Sequence, residues 1–219
     1  MNGLLYKDLL NLDSTLKYLA VMTLIFCVVF LPLGNELPVY IILIMFGTML
    51  PTTAINFDTV ARWDIYAASL PLSCRDIVLS KYLLMAGGIC VAGIVSLVIT
   101  EVMTVLMPGE GIFLQFVDPL PLMVIFVACG LILGSISLPL TLKFGAEKMR
   151  YIIIIMNMIM LTPVMVVLGM TFLMNDSSGP TLIAPALMFA LLAALLAFTA
   201  VIIVVSYRFS ARIYRNKEF

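Results

Sequence analysis

Six long apolar runs, separated by short polar or turn-rich breaks, organise the chain; they cover residues 16–33, 38–57, 82–107, 119–142, 151–174 and 181–207. A helix needs about 20 apolar residues to cross a bilayer, and each run reaches or approaches that length. A backbone inside hydrocarbon must satisfy its own hydrogen bonds, so helices are the expected form. A membrane barrel would need strands that alternate apolar and polar residues, whereas these runs are continuously apolar. The expected fold is all-α: a polytopic membrane protein with six transmembrane helices in a single domain over residues 1–219.

Composition supports this and removes the alternatives. The chain is 63% hydrophobic and 11% charged, against about half and about a quarter for a soluble domain. Its mean hydropathy is +1.20. A water-soluble globule, a disordered chain and a secreted disulfide scaffold are excluded. Of the four cysteines, Cys27, Cys90 and Cys129 lie in apolar runs and Cys74 in a polar loop, with no C-x-x-C. Neither a disulfide nor a metal site is expected. The chain has no histidine, which removes the commonest general base and metal ligand.

The net charge is zero, but its distribution is one-sided. Lys7 and Lys17 precede the first run. Arg62, Arg75 and Lys81 follow the second, and Lys143, Lys148 and Arg150 follow the fourth. Arg208, Arg212, Arg215 and Lys217 close the chain, which accounts for all 12 basic residues. The alternate loops carry only Glu36, Glu110, Asp118 and Asp176. Basic loops stay in the cytoplasm, so both termini are expected there. The start does not read as a cleaved signal peptide, because its apolar run begins late and no small-residue cleavage site follows. Residues 1–15 carry Leu4, Leu5, Leu9 and Leu12 near helical spacing around Lys7 and Asp8. This predicts a short amphipathic helix on the inner membrane surface; the alternative is a plain extension of the first span.

Within the runs, Pro51, Pro139, Pro163 and Pro185 are expected to kink helices. Gly130 and Gly134 form G-x-x-x-G, which lets helices approach closely, within the subunit ahead of between subunits. Glu101 is the one clear intramembrane carboxylate. It reads equally as a functional group, able to contact a cationic substrate, or as a residue at the outer interface near Pro108 and Gly109. Asn157 reads as helix-packing glue. The methionines of the fifth run (Met156, Met158, Met160, Met165, Met170 and Met174) read as core or lipid-facing filler or as an adaptable apolar lining. The spans show no carboxylate pair, no Lys or Arg counter-ion and no polar relay, which argues against an ion-coupled pump. Ser96, Ser135 and Ser137 lack a base, which argues against an intramembrane enzyme.

The longest basic loop, residues 58–81, reads DTVARWDIYAASLPLSCRDIVLSK. It predicts a short helix, a break at Leu70 and Pro71, and a second helix running straight into the third span. Ser73 would cap that second helix, with Asp76 in capping-box position. Trp63, Tyr66 and Leu70, beside Arg62 and Asp64, suit a protein partner; they also suit headgroup anchoring.

The stretch from Trp63 to Tyr82, W-x-x-Y-A-x-S-L-P-L-S-x-R-D-I-V-L-S-K-Y, resembles the membrane subunits of ABC-2-type transporters, most closely the small six-helix bacterial permeases. Three more segments are similar to the same group: the opening Gly3-Leu4-Leu5-Tyr6-Lys7-Asp8-Leu9, the loop Lys143-Phe144-Gly145-Ala146-Glu147-Lys148-Met149-Arg150, and the tail from Ser210 to Lys217-Glu218-Phe219. Asp58 stands where the family often has Glu. The resemblance implies a pair of permeases, identical or related, in the bacterial inner membrane, seated on two cytoplasmic ABC ATPases. It implies that residues 58–81 form the coupling segment, with Trp63, Tyr66, Leu70, Arg75 and Asp76 facing the ATPase. Lys143, Glu147, Lys148 and Arg150 would make a second contact. It implies export of an amphipathic peptide, such as a phenol-soluble modulin or an antimicrobial peptide, or of a hydrophobic compound. The chain itself has no G-x-x-x-x-G-K-[ST] loop to cradle a nucleotide phosphate. No cofactor is therefore expected on this chain; ATP and Mg would bind the partner ATPase, and no nucleic acid is involved. The competing expectation is a membrane protein that sequesters a peptide, as an immunity protein does, without transport.

Overall fold

The structure is a computed structural model, and it describes residues 2–30, 37–68, 73–106, 119–145, 151–152, 155 and 185–215. The helices are α1 (Asn2–Phe30), α2 (Leu37–Val60), α3 (Trp63–Ala68), α4 (Cys74–Leu106), α5 (Pro119–Phe144) and α6 (Pro185–Arg215). All but α3 are long and apolar enough to cross a membrane. The described residues hold no strand. The fifth expected span, with Pro163, Asn157 and the methionine cluster, lies outside the described residues apart from Tyr151, Ile152 and Ile155.

Two boundaries differ from the sequence reading. The chain has no separate surface helix at its start: α1 runs unbroken from Asn2 to Phe30. The physical reason is visible in the packing. Leu4, Leu12 and Asp8 are all buried, so the face expected to lie on headgroups is spent on the bundle. The second difference is at Cys74, which opens α4 rather than sitting in a loop: the capped helix expected after Ser73 does run straight into the third apolar run, as one helix from Cys74 to Leu106. Ser73 caps it as expected: the Asp76 amide donates to Ser73 Oγ at 3.2 Å, and the Ser73 hydroxyl donates to the Asp76 carboxylate at 2.6 Å. Pro185 is the first described residue of α6, so the kink expected there borders residues outside the described set. Pro51 and Pro139 do sit inside helices.

Helices α2, α4 and α5 form the centre. Small residues set their spacing, because lipid tails leave no hydrophobic drive between helices and close packing must supply it. A Cβ on Gly47 of α2 would lie 3.0 Å from the Ile89 Cα of α4, so the two backbones almost touch. Gly130 of α5 faces Ile44 and Ile89, and Gly134 faces Met85. The G-x-x-x-G pair thus packs within the subunit. Tyr40 stacks on Phe126 at 5.6 Å between ring centres, and its hydroxyl meets Thr100 Oγ1 at 2.8 Å. Helices α1 and α6 flank this centre on α2/α4 and on α5/α4 respectively.

Candidate functional site at the basic end of the bundle

Among the described residues the basic side chains sit in α1 as far as Lys17, at the elbow between α2 and α4, and near the ends of α5 and α6. Four charged side chains close a ring at the elbow. Lys7 Nζ lies 2.5 Å from Asp58 Oδ1 and 3.2 Å from Asp8 Oδ1. Lys81 Nζ lies 2.7 Å from Asp8 Oδ2 and 2.6 Å from Asp58 Oδ2. Each lysine therefore bridges both aspartates, and signs alternate around the ring. Asp8 and Lys81 are almost fully buried, Asp58 is nearly so, and Lys7 is the one with an open edge. Burying a lone charge is prohibitive, but a neutral ring in which every charge has two opposite neighbours is tolerated.

The ring lies at the ends of the apolar runs, outside residues 16–33, 38–57 and 82–107, and the sequence reading does not foresee it. By sequence, Asp8, Asp58 and Lys81 read as loop or surface charges because they lie outside the apolar runs. A signal was nevertheless present: Lys7 and Asp8 belong to the opening motif, and Lys81 to the long loop motif. Charges at run boundaries mark orientation, and here they are also partners of one another.

The elbow beside the ring is built from the end of α2. The Ala61 amide still donates to the Phe57 carbonyl at 2.9 Å and the Arg62 amide to Thr59 at 3.2 Å. Arg62 then turns left-handed, with φ +49°, and α3 leaves in a new direction. A non-glycine residue there costs on the order of 1 kcal/mol. The short helix is amphipathic. Ala67 is buried in the cluster of Leu4, Ile55, Ile77 and Val78, against which Trp63 packs. The Trp63 ring lies 4.1 Å under Lys7 Nζ and 5.2 Å from the Tyr66 ring. Tyr66 is 57% exposed. The Trp63 Nε1 is buried with no hydrogen-bond partner among the described residues.

A second polar cluster ties α6 to this end. Tyr82 Oη meets Ser206 Oγ at 2.6 Å and Ser210 Oγ at 2.9 Å, and the Ser206 hydroxyl donates to the Ser135 carbonyl of α5. Tyr82 closes the long loop motif and Ser210 opens the tail motif, so two separate signature segments meet here. Gly145 ends α5 with φ +83°, a conformation natural to glycine. Between the ring and these helices lies a cavity of about 210 Å³, lined by Asp58, Lys81, Thr141, Lys143 and Tyr214 among others. A larger apolar groove of about 1050 Å³ runs between α1, α2 and α4, lined by Leu16, Leu24, Phe46, Leu83, Val91 and Val98 among others.

The structure brings only some of the expected site residues together. Trp63 and Tyr66 are adjacent, but Trp63 turns toward the bundle and Tyr66 away from it. Arg75 is exposed on the first turn of α4. Asp76 serves the helix cap. Lys143 is exposed, with its ammonium 5.3 Å from the Phe144 ring. Glu101 is exposed near the far end of α4, away from the basic end. Leu70, Glu147, Lys148 and Arg150 lie outside the described residues. The described residues contain no cluster able to hold a metal.

Comparison with known proteins agrees with the motif segments. The family model described as ABC-2 family transporter protein matches residues 3–215. Neither a curated protein nor a solved structure matches.

Proposed function

The chain belongs to the ABC-2 family of transporter proteins, and from that premise we propose that it is the membrane permease of an exporter. Its cargo would be an amphipathic peptide or hydrophobic compound, and its energy would come from a separate cytoplasmic ABC ATPase. The family supplies the coarser statement, a membrane subunit of an ABC transporter that is not itself catalytic. The observation that carries the finer one is the elbow. Helix α3 stands at the basic end with Tyr66 outward, while Ala67 and Trp63 pack into the bundle, and Arg75 is also exposed, on the first turn of α4. That shape suits a part that receives a push and passes it on. On this reading Tyr66, Leu70 and Arg75 meet the ATPase, Trp63 stands behind them, and Lys143 to Arg150 make the second contact.

ATP and Mg belong to the partner on this reading. The basic end lies in the cytoplasm of a bacterial cell, with a second permease alongside. The apolar groove supports a cargo that travels with its greasy face against α1 and α4, and Glu101 is a contact for a cationic cargo toward the far end.

The test is a tagged pull-down from native membranes in mild detergent, assayed for vanadate-sensitive ATP hydrolysis. A stoichiometric ATPase is expected, and the double variant Tyr66→Ala/Arg75→Ala should keep the complex but uncouple hydrolysis from transport. An ATPase-free protein that still protects cells from a peptide would replace this reading with sequestration.

A further inference from the structure

Lys7 touches both sides of the elbow. Its ammonium binds Asp58 at the end of α2 (2.5 Å) and covers the ring of Trp63 at the start of α3 (4.1 Å), with left-handed Arg62 between them. Yet Lys7 itself belongs to α1, a lightly buried helix: only 6% of its apolar stretch is buried, against 56% for α2. Its few buried side chains, Leu4, Asp8 and Leu12, sit within a few turns of Lys7. The first turns of α1 are thus held by the same charges that hold the elbow.

We propose that Lys7 is a positioning residue, a strut through which movement of α3 is delivered to α1 as well as to α2. This rests on the reading in which α3 receives the ATPase. The geometry explains why a lysine suits the place. A cation over an indole face is attracted by the ring quadrupole, and the same ammonium can donate to a carboxylate, so one group pins two elements. The bond to Asp58 is not isolated, because Asp58 also binds Lys81. A tilt of α3 therefore shifts Lys7, and through the ring it is felt by Asp8 and by the start of α4. The adjoining cavity of about 210 Å³ reaches Asp58 and Lys81, which leaves the ring room to shift without a clash. Helix α1 in turn forms one wall of the apolar groove, so the strut joins the elbow to the wall of that groove.

Two measurements test the strut. Trp63 is the only tryptophan in the chain, so the fluorescence of the purified permease in nanodiscs reports on it alone. Lys7→Gln should raise acrylamide quenching by about twofold as the elbow opens locally, and Lys7→Arg should leave it unchanged. Unaltered quenching in Lys7→Gln overturns the proposal. The second measurement is hydrogen exchange on the complex with its co-purified ATPase, with and without ATP and vanadate. In the wild type and Lys7→Arg, trapping should change exchange in both residues 59–68 and residues 3–12. In Lys7→Gln the change in 59–68 should persist and that in 3–12 should disappear. Trp63→Leu, which keeps all four charges, should behave like Lys7→Gln, and Trp63→Phe like the wild type. A response in 59–68 without one in 3–12 in the wild type, or an undiminished 3–12 response in Lys7→Gln, overturns the strut alone. No ATPase, or no response in 59–68, overturns the permease reading and the strut with it.

Discussion

The central and flanking helices are held by different chemistry. In α2, α4 and α5, 56%, 39% and 44% of the apolar window is buried, against 6% in each of α1 and α6. The centre is specified by shape, through glycines that bring backbones together. The flanks add polar locks at one end, the charge ring for α1 and the Tyr82, Ser206 and Ser210 hydroxyls for α6, to apolar contacts made by Leu5, Leu12, Leu19 and Cys27 of α1 and by Ile203, Tyr207 and Tyr214 of α6. Shape-based contacts are spread along a helix and resist sliding. Polar locks act at a point, and most of the surface of each flanking helix still faces outward.

The comparison breaks most visibly at the ring. Lys81→Met leaves two buried aspartates to share Lys7, and removing one partner of a buried pair costs about 3–5 kcal/mol. Folded yield and thermal midpoint in detergent should fall sharply, and Asp8→Asn added to Lys81→Met should recover part of the loss. If the single variant is as stable as the wild type, the ring does not hold α1. A smaller loss is expected in the centre. Gly47→Val puts a side chain against the Ile89 backbone, and overpacking of this kind costs about 1–3 kcal/mol; an unchanged midpoint would remove the claim that shape specifies the centre.

The flank locked by hydroxyls should yield less. Ser210→Ala takes one partner from Tyr82 while Ser206 remains, and hydrogen bonds between membrane helices average about 0.6 kcal/mol. The expected result is a small drop in midpoint, with Tyr82→Phe larger because it removes both bonds; equal effects would argue against a shared lock. The smallest change is a gain. A Cβ on Gly87 would meet nothing within 4 Å, so Gly87→Ala should stabilise α4 by about 0.5–1 kcal/mol. A loss there would mean that a close neighbour occupies the groove face in the membrane.

Much of the centre was legible in the sequence. Apolar run length placed the helices, the Ser73 and Asp76 spacing placed the start of α4, and Gly130 and Gly134 marked a close approach. The ring was not legible, for a physical reason. A helix in lipid is apolar on every side, so periodicity does not say which face packs inward, and Asp8 could not be assigned to the bundle. Pairing across 23 to 73 residues is also invisible to local spacing. Trp63 shows the same limit: an aromatic at a basic loop suits a partner, a headgroup or a neighbouring lysine equally well, and only the fold shows Lys7 above it.

The ring also dictates an order of assembly. Lys7 and Asp8 leave the ribosome first, and the residue that closes the ring, Lys81, follows 73 positions after Asp8. At about 5–20 residues per second, the two early charges wait several seconds without their final partner. During that time water and headgroups must hold them, since hydrocarbon will not. Helix α1 can therefore cross early but settle late, docking when α4 arrives, so its last step in biogenesis is the formation of an ionic seal rather than insertion.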